Sequence, residues 1–115
     1  MPFMPSETDS VTLRDMLRHI ELAEKFARER EGAHNELMPL FAVTRCLEII
    51  SEVSRRLSDE LKTRHGDIPW PQMAAAGNFY RHDYEDVLPQ RVWKTLAEDI
   101  PKLRKVIEEE LSGGQ

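Results

Sequence analysis

Leu40-Phe41-Ala42-Val43-Thr44-Arg45-Cys46-Leu47-Glu48-Ile49-Ile50-Ser51-Glu52-Val53-Ser54-Arg55-Arg56-Leu57-Ser58-Asp59-Glu60-Leu61 is the stretch from which the fold is read. Leu40, Val43, Leu47, Ile50, Val53, Leu57 and Leu61 recur at three- and four-residue steps, the signature of one buried helix face. Phe41 and Ile49 broaden that face, while Arg45, Glu48, Glu52, Arg55 and Arg56 sit around its flanks. The stripe is continuous and predicts a single long second helix ending at Gly66. Each such side chain stabilises by about 1.5–3 kcal/mol when buried, so this helix is expected to be the spine of a bundle. Its apolar breadth exceeds what one neighbour covers. A second copy of the chain, or helices on two sides within one chain, would cover the rest.

Upstream, Met1 to Ser10 carries two prolines and small polar residues and reads as a flexible arm. Thr12 with Asp15 fits a capping pattern, which starts a first helix near residue 12. Leu13, Met16, Leu17, Ile20, Ala23 and Ala27 give its buried stripe, with Phe26 at the edge, and Gly32, His34 and Asn35 end it. Downstream, Asp67-Ile68-Pro69-Trp70-Pro71 reads as a stiff connector in which Asp67 can cap the next helix and Trp70 lids the core. A shorter third helix follows, carrying Met73-Ala74-Ala75-Ala76. Its small side chains either admit a close neighbour or leave room for a ligand. After a polar corner at 83–88, Pro89 suits the first turn of a fourth helix. Its stripe is Trp93, Leu96, Ile100, Leu103, Ile107 and Leu111, and Pro101 predicts a kink or break near Asp99. The short connections make the architecture an all-α, mostly antiparallel bundle of four main helices with a kinked or broken last helix. Residues 11–111 form its single domain, and 112–115 a flexible tail.

A chain of 115 residues closes one core. Its 21 acids outnumber 16 bases, for a net charge of −5. Any hold on nucleic acid must therefore come from a local basic groove rather than from the whole surface. Cys46 is the only cysteine, which rules out an internal disulfide and suits a small buried hydrophobe. Met1 to Pro5 lacks the regions of a signal peptide, and no apolar run approaches a membrane span, so a cytoplasmic protein is expected. Neither a phosphate-binding glycine loop nor a dinucleotide fingerprint is present. His19, His34, His65 and His82 lack the two-turn spacing of a zinc helix.

The chemistry-bearing residues gather in Ala76-Gly77-Asn78-Phe79-Tyr80-Arg81-His82-Asp83-Tyr84. On a helix, Asn78 and His82 are i and i+4 neighbours, as are Gly77 and Arg81, and Tyr80 and Tyr84. An imidazole, a guanidinium, an amide and two phenols this close can move protons and bind anions. The same residues can also close a helix end, with the aromatics filling core.

Arg45 to Glu52, Arg56-Leu57-Ser58, Asp67-Ile68-Pro69-Trp70, and Asn78 with His82-Asp83-Tyr84 together resemble the HepT-like proteins of the HEPN superfamily. The resemblance runs from about Leu13 to Ile107 and includes the Asp99-Ile100-Pro101 break. It implies a helical bundle that forms a homodimer and builds a cleft between subunits. It also implies a metal-independent, cofactor-free endoribonuclease toxin, whose partner is a nucleotidyltransferase antitoxin of the MntA type able to modify the motif tyrosine. The family motif is Arg, four to six residues, His, one residue, Tyr. His82 matches its histidine, Tyr84 its tyrosine, and Asn78 the asparagine that often follows the arginine.

These residue types suit the reaction. RNA can be cut without metal when its own 2′-hydroxyl attacks the adjacent phosphate. A histidine, with an unperturbed pKa of about 6.5, can move the protons, and a fixed cation stabilises the charge that develops. One position departs from the motif: Gly77 stands where the arginine is expected. Either Arg81 supplies the cation from one turn further on, or cleavage is lost and a binding subunit for the nucleotidyltransferase remains. A helical enzyme acting on a small nucleotide is the third reading.

Overall fold

The two oxygens of the Asp9 carboxylate accept the N–H of Ser58 at 2.9 Å and its hydroxyl at 2.5 Å, tying the start of the chain to a residue 49 positions on. The computed structural model describes residues 4–30, 37–82 and 87–113. In it the chain runs through α1 (Glu7–Glu29), α2 (Leu37–Ser54), α3 (Asp59–Arg64), α4 (Trp70–His82), α5 (Val87–Lys94), a π-helical turn (Thr95–Asp99) and α6 (Ile100–Leu111). The described residues contain no strand, so the expected all-α class is observed.

α1 starts five residues earlier than Thr12. The Ser6 side chain accepts the N–H of Asp9 at 3.0 Å and caps the helix, and Glu7 and Asp9 place negative charge in its first turn. Residues 7–10 are thus helical, and Thr12 is a buried residue inside the helix. The stop expected at Gly32 to Asn35 lies outside the described residues.

The single long second helix is in fact two helices. After Ser54, the N–H groups of Arg55, Arg56 and Leu57 turn back to carbonyls three residues earlier, at 3.3, 3.0 and 3.2 Å. Ser58 then caps α3, its hydroxyl accepting the N–H of Leu61 at 3.2 Å. Leu57 and Leu61 are buried across the break, so the apolar pattern is unchanged while the backbone path is not. Phe41 also departs from expectation. With Leu37 and Met38 it is exposed at the start of α2, whereas Leu40, Val43, Leu47, Ile50 and Val53 enter the core. Neighbours within the chain cover the spine on two sides, since α2 packs against α1 and against α4 and α5.

The last helix is interrupted by a π turn just before Pro101. Proline offers no N–H to the carbonyl four residues back, and the ladder adjusts one residue earlier, where the Ile100 N–H donates to the Thr95 carbonyl, five residues back. α6 then lies antiparallel along α1. Arg104 pairs with Glu24 and lies 3.6 Å from Glu21. At the far end, the buried Glu110 receives Arg64 at 2.6 Å and His65 at 2.8 Å. Cys46 is buried, and burial raises the pKa of its thiol. Among the described residues, no helix is long and apolar enough to cross a membrane.

Candidate functional site

α4 carries the residues that the sequence singles out. It begins at Trp70, with the Pro69 carbonyl accepting the N–H of Met73 at 2.9 Å. The Trp70 indole N–H donates to the carbonyls of His65 (3.0 Å) and Lys62 (3.2 Å), and the residue is 7% exposed. Trp70 is therefore the lid its position suggests, while Asp67 stays exposed. Inside the helix, Gly77 and Tyr80 are buried and Asn78 is exposed. The Tyr80 hydroxyl donates to Thr95 Oγ1 at 3.2 Å, and its ring meets Phe79 edge-on at 5.8 Å. Burial raises the pKa of the phenol, against the opposing pull of the Thr95 hydrogen bond and the Arg91 charge. Tyr80 is a core residue that holds α4 to the π turn.

α2 grips the backbone of α4 just before Asn78. The Ser51 hydroxyl donates to the carbonyl of Met73 at 2.7 Å, lies 3.1 Å from that of Ala74, and accepts the N–H of Gly77 at 2.9 Å. Met73 and Gly77 are i and i+4 partners of the helix ladder, so this hydroxyl stands within one turn of it. One turn along the chain, Arg55 Nη2 donates to the Ala74 carbonyl at 2.9 Å. The run Ala74 to Gly77 thus admits a close neighbour. The sequence pattern puts Arg55 on the flank of the stripe and Ser51 within the run Arg45 to Glu52, with no role for either. The one available signal was a serine inside the apolar stripe of α2, matched by a small-residue run elsewhere.

The spacing of Asn78 and His82 holds: both lie in α4, one turn apart. Arg81 also belongs to its last turn. The side chains of Arg81 and His82, and all of Tyr84, lie outside the described residues.

A groove of about 710 Å³ opens on another side of α4, between it, α2 and the α5–α6 arm. Ile50, Met73, Ala76 and Tyr80 form its apolar floor, and Arg91 and Lys94 stand among its polar residues. Asn78 is two positions from both Ala76 and Tyr80, or about 200° around the helix axis. The groove and the Asn78 side of α4 are therefore different surfaces.

Residues 16–110 match the family model described as Ribonuclease HepT-like. A protein of Thermococcus cleftensis named "Probable ribonuclease HepT" is 40% identical over 94 residues, covering 80% of this chain and 86% of its own. A protein of Methanocaldococcus jannaschii named as a candidate RNase is 35% identical over 74 residues, covering 64% of this chain and 68% of its own. Another from the same organism, similarly named, is 28% identical over 107 residues, with 91% and 88% covered. No solved structure matches. The match spans α1 from Met16, the α2–α4 contact and nearly all of α6, and the chain belongs to the ribonuclease HepT-like family.

Proposed function

We propose that this protein is a metal-independent endoribonuclease, the toxin of a toxin–antitoxin module. The observation that carries the reading is the placement of exposed Asn78 one turn before His82 on a helix whose backbone Ser51 of α2 holds, within a chain whose named relatives are RNases. In the reaction, the 2′-hydroxyl oxygen of RNA attacks the adjacent phosphorus while the bond to the 5′-oxygen of the next nucleotide breaks. His82 takes the hydroxyl proton or gives one to the leaving oxygen. Asn78 orients the phosphate, and Arg81 supplies charge to the oxygens on which negative charge develops. The products are a 2′,3′-cyclic phosphate and a 5′-hydroxyl. A homodimer would set two such helices across one cleft, and a nucleotidyltransferase antitoxin would silence the site by adding a nucleotide to Tyr84.

RNA cleavage by the purified chain in excess chelator tests this directly. Wild type leaves cyclic-phosphate ends and His82→Ala does not; equal cleavage by both removes His82 from the mechanism.

The second reading is a non-catalytic subunit that docks the nucleotidyltransferase, and Gly77 favours it, because a buried glycine supplies no cation to the motif. It is supported if a nucleotidyltransferase with ATP adds mass to Tyr84, but not to Tyr84→Phe, while RNA stays intact with the unmodified protein.

A further inference from the structure

Position 77 has no side chain, and α2 comes close enough there for Ser51 to bond the Gly77 N–H. The same approach carries Arg55 onto α4. Its guanidinium donates to the Ala74 carbonyl at 2.9 Å, the carbonyl that in an α-helix faces the N–H of Asn78. A cation from the turn after α2 is thus held at the turn of α4 that leads into exposed Asn78. Among the described residues its ion-pair partner is Glu52, at 3.8 Å, a loose pairing between side chains 49% and 58% exposed. A guanidinium carries five N–H donors in a fixed fork, so one carbonyl and one distant carboxylate leave most of them for water or a ligand. Arginine keeps its charge in any setting and matches phosphate geometry with two parallel hydrogen bonds.

Ala74 and His82 are eight residues apart, or about 12 Å along the helix axis. That is too far for one phosphate to touch both, and it suits a strand lying along α4 with successive phosphates over successive turns. On a chain of net charge −5, nothing general attracts RNA, so individual fixed cations must do so.

Resting on the nuclease reading above, we infer that Arg55 binds a phosphate of the RNA flanking the one that is cut, and so sets where the strand lies on α4. Arg55 is a substrate-binding residue and takes no part in proton transfer. Arg56 provides the control. It is the next residue, carries the same charge and is exposed, but among the described residues no hydrogen bond joins its side chain to α4.

The test is binding of a short 2′-O-methyl RNA, which cannot be cut, followed by fluorescence anisotropy between about 50 and 200 mM salt. The full-length wild type, Arg55→Ala, Arg55→Lys and Arg56→Ala are compared, each with a thermal melt. Loss of one single-strand phosphate contact makes the slope of log affinity against log salt shallower by about 0.7. Arg55→Ala should show that change together with weaker binding, Arg55→Lys should keep the slope, and Arg56→Ala should keep both. A full slope in Arg55→Ala, an equal loss in Arg56→Ala, or no binding by wild type overturns the proposal. The nuclease reading fails separately: ordinary RNA left intact by a wild type that binds in the expected way removes the cleavage and leaves the Arg55 contact standing.

Discussion

The Ser51 hydroxyl lies 2.9 Å from the amide nitrogen of Gly77 and accepts its hydrogen, while donating to the Met73 carbonyl on the same turn of α4. A buried serine and a buried glycine, 26 positions apart, thereby set how closely α2 and α4 approach just ahead of Asn78. Gly77 is not simply an arginine lost from a motif, because it is buried where its N–H meets the Ser51 hydroxyl.

Placing the motif arginine back should therefore be harmful to the fold. Gly77→Arg adds a long charged side chain at a buried position, and overpacking of this kind costs about 1–3 kcal/mol. Urea unfolding should show that loss, and Ser51→Gly in the same chain should recover part of it, since residues in contact couple. Additive effects would show that the two positions do not compete for space.

Glu110 governs acid stability at the α3–α6 end. Burial alone would raise its pKa, but hydrogen bonds from Arg64 and His65, with their charges, outweigh that and hold it below the usual value of 4.5. A carboxyl that is more acidic folded than unfolded adds stability above its unfolded pKa and loses it as pH falls through the folded pKa. Wild type should thus lose stability below about pH 4.5, and Glu110→Gln should be weaker at neutral pH with a smaller acid fall. Breaking a buried pair costs roughly 3–5 kcal/mol, and the partial exposure of Arg64 and His65 puts this case at the lower end. Urea midpoints across pH measure it.

Asp9 should matter more than its place near the N-terminus suggests. Asp9→Ala strips the partner from the N–H and hydroxyl of half-buried Ser58, and the loss of such hydrogen bonds costs about 0.5–1.5 kcal/mol each. Hydrogen exchange should quicken first at Leu61 and its neighbours in α3, whose cap Ser58 provides. Uniform loss of protection across all helices would contradict this local role.

Tyr80→Phe keeps the buried ring and removes the hydrogen bond to Thr95. The expected cost is about 0.5–1.5 kcal/mol, with a change in amide shifts confined to the π turn and α4. RNA cleavage should persist, because Tyr80 lies on the groove side of α4 and Asn78 does not.

Much of the fold was legible because an α-helix repeats every 3.6 residues, and Leu13, Met16, Ile20, Val43, Leu47, Ile50, Leu103 and Ile107 obey that period and are buried. Pro101 announced the interruption of the helix at Asp99 because a missing N–H is a local fact. The spacing of Asn78 and His82 on α4 was legible for the same reason. The start of α1 at Ser6 was also written locally, in a cap three residues before Asp9, but Thr12 with Asp15 offered a competing pattern.

What the residue order determined by itself, then, is which segments coil and which of their faces are apolar, since both depend on neighbours within a few positions. The break after Ser54, the exposure of Phe41, and the grip of Ser51 and Arg55 on α4 were decided only by the assembled bundle. Each of the three hydrogen-bonded contacts, Asp9 to Ser58 included, joins groups at least 19 positions apart. Nothing in a local period can say which distant carbonyl, N–H or carboxylate will be brought within 3 Å of a given side chain.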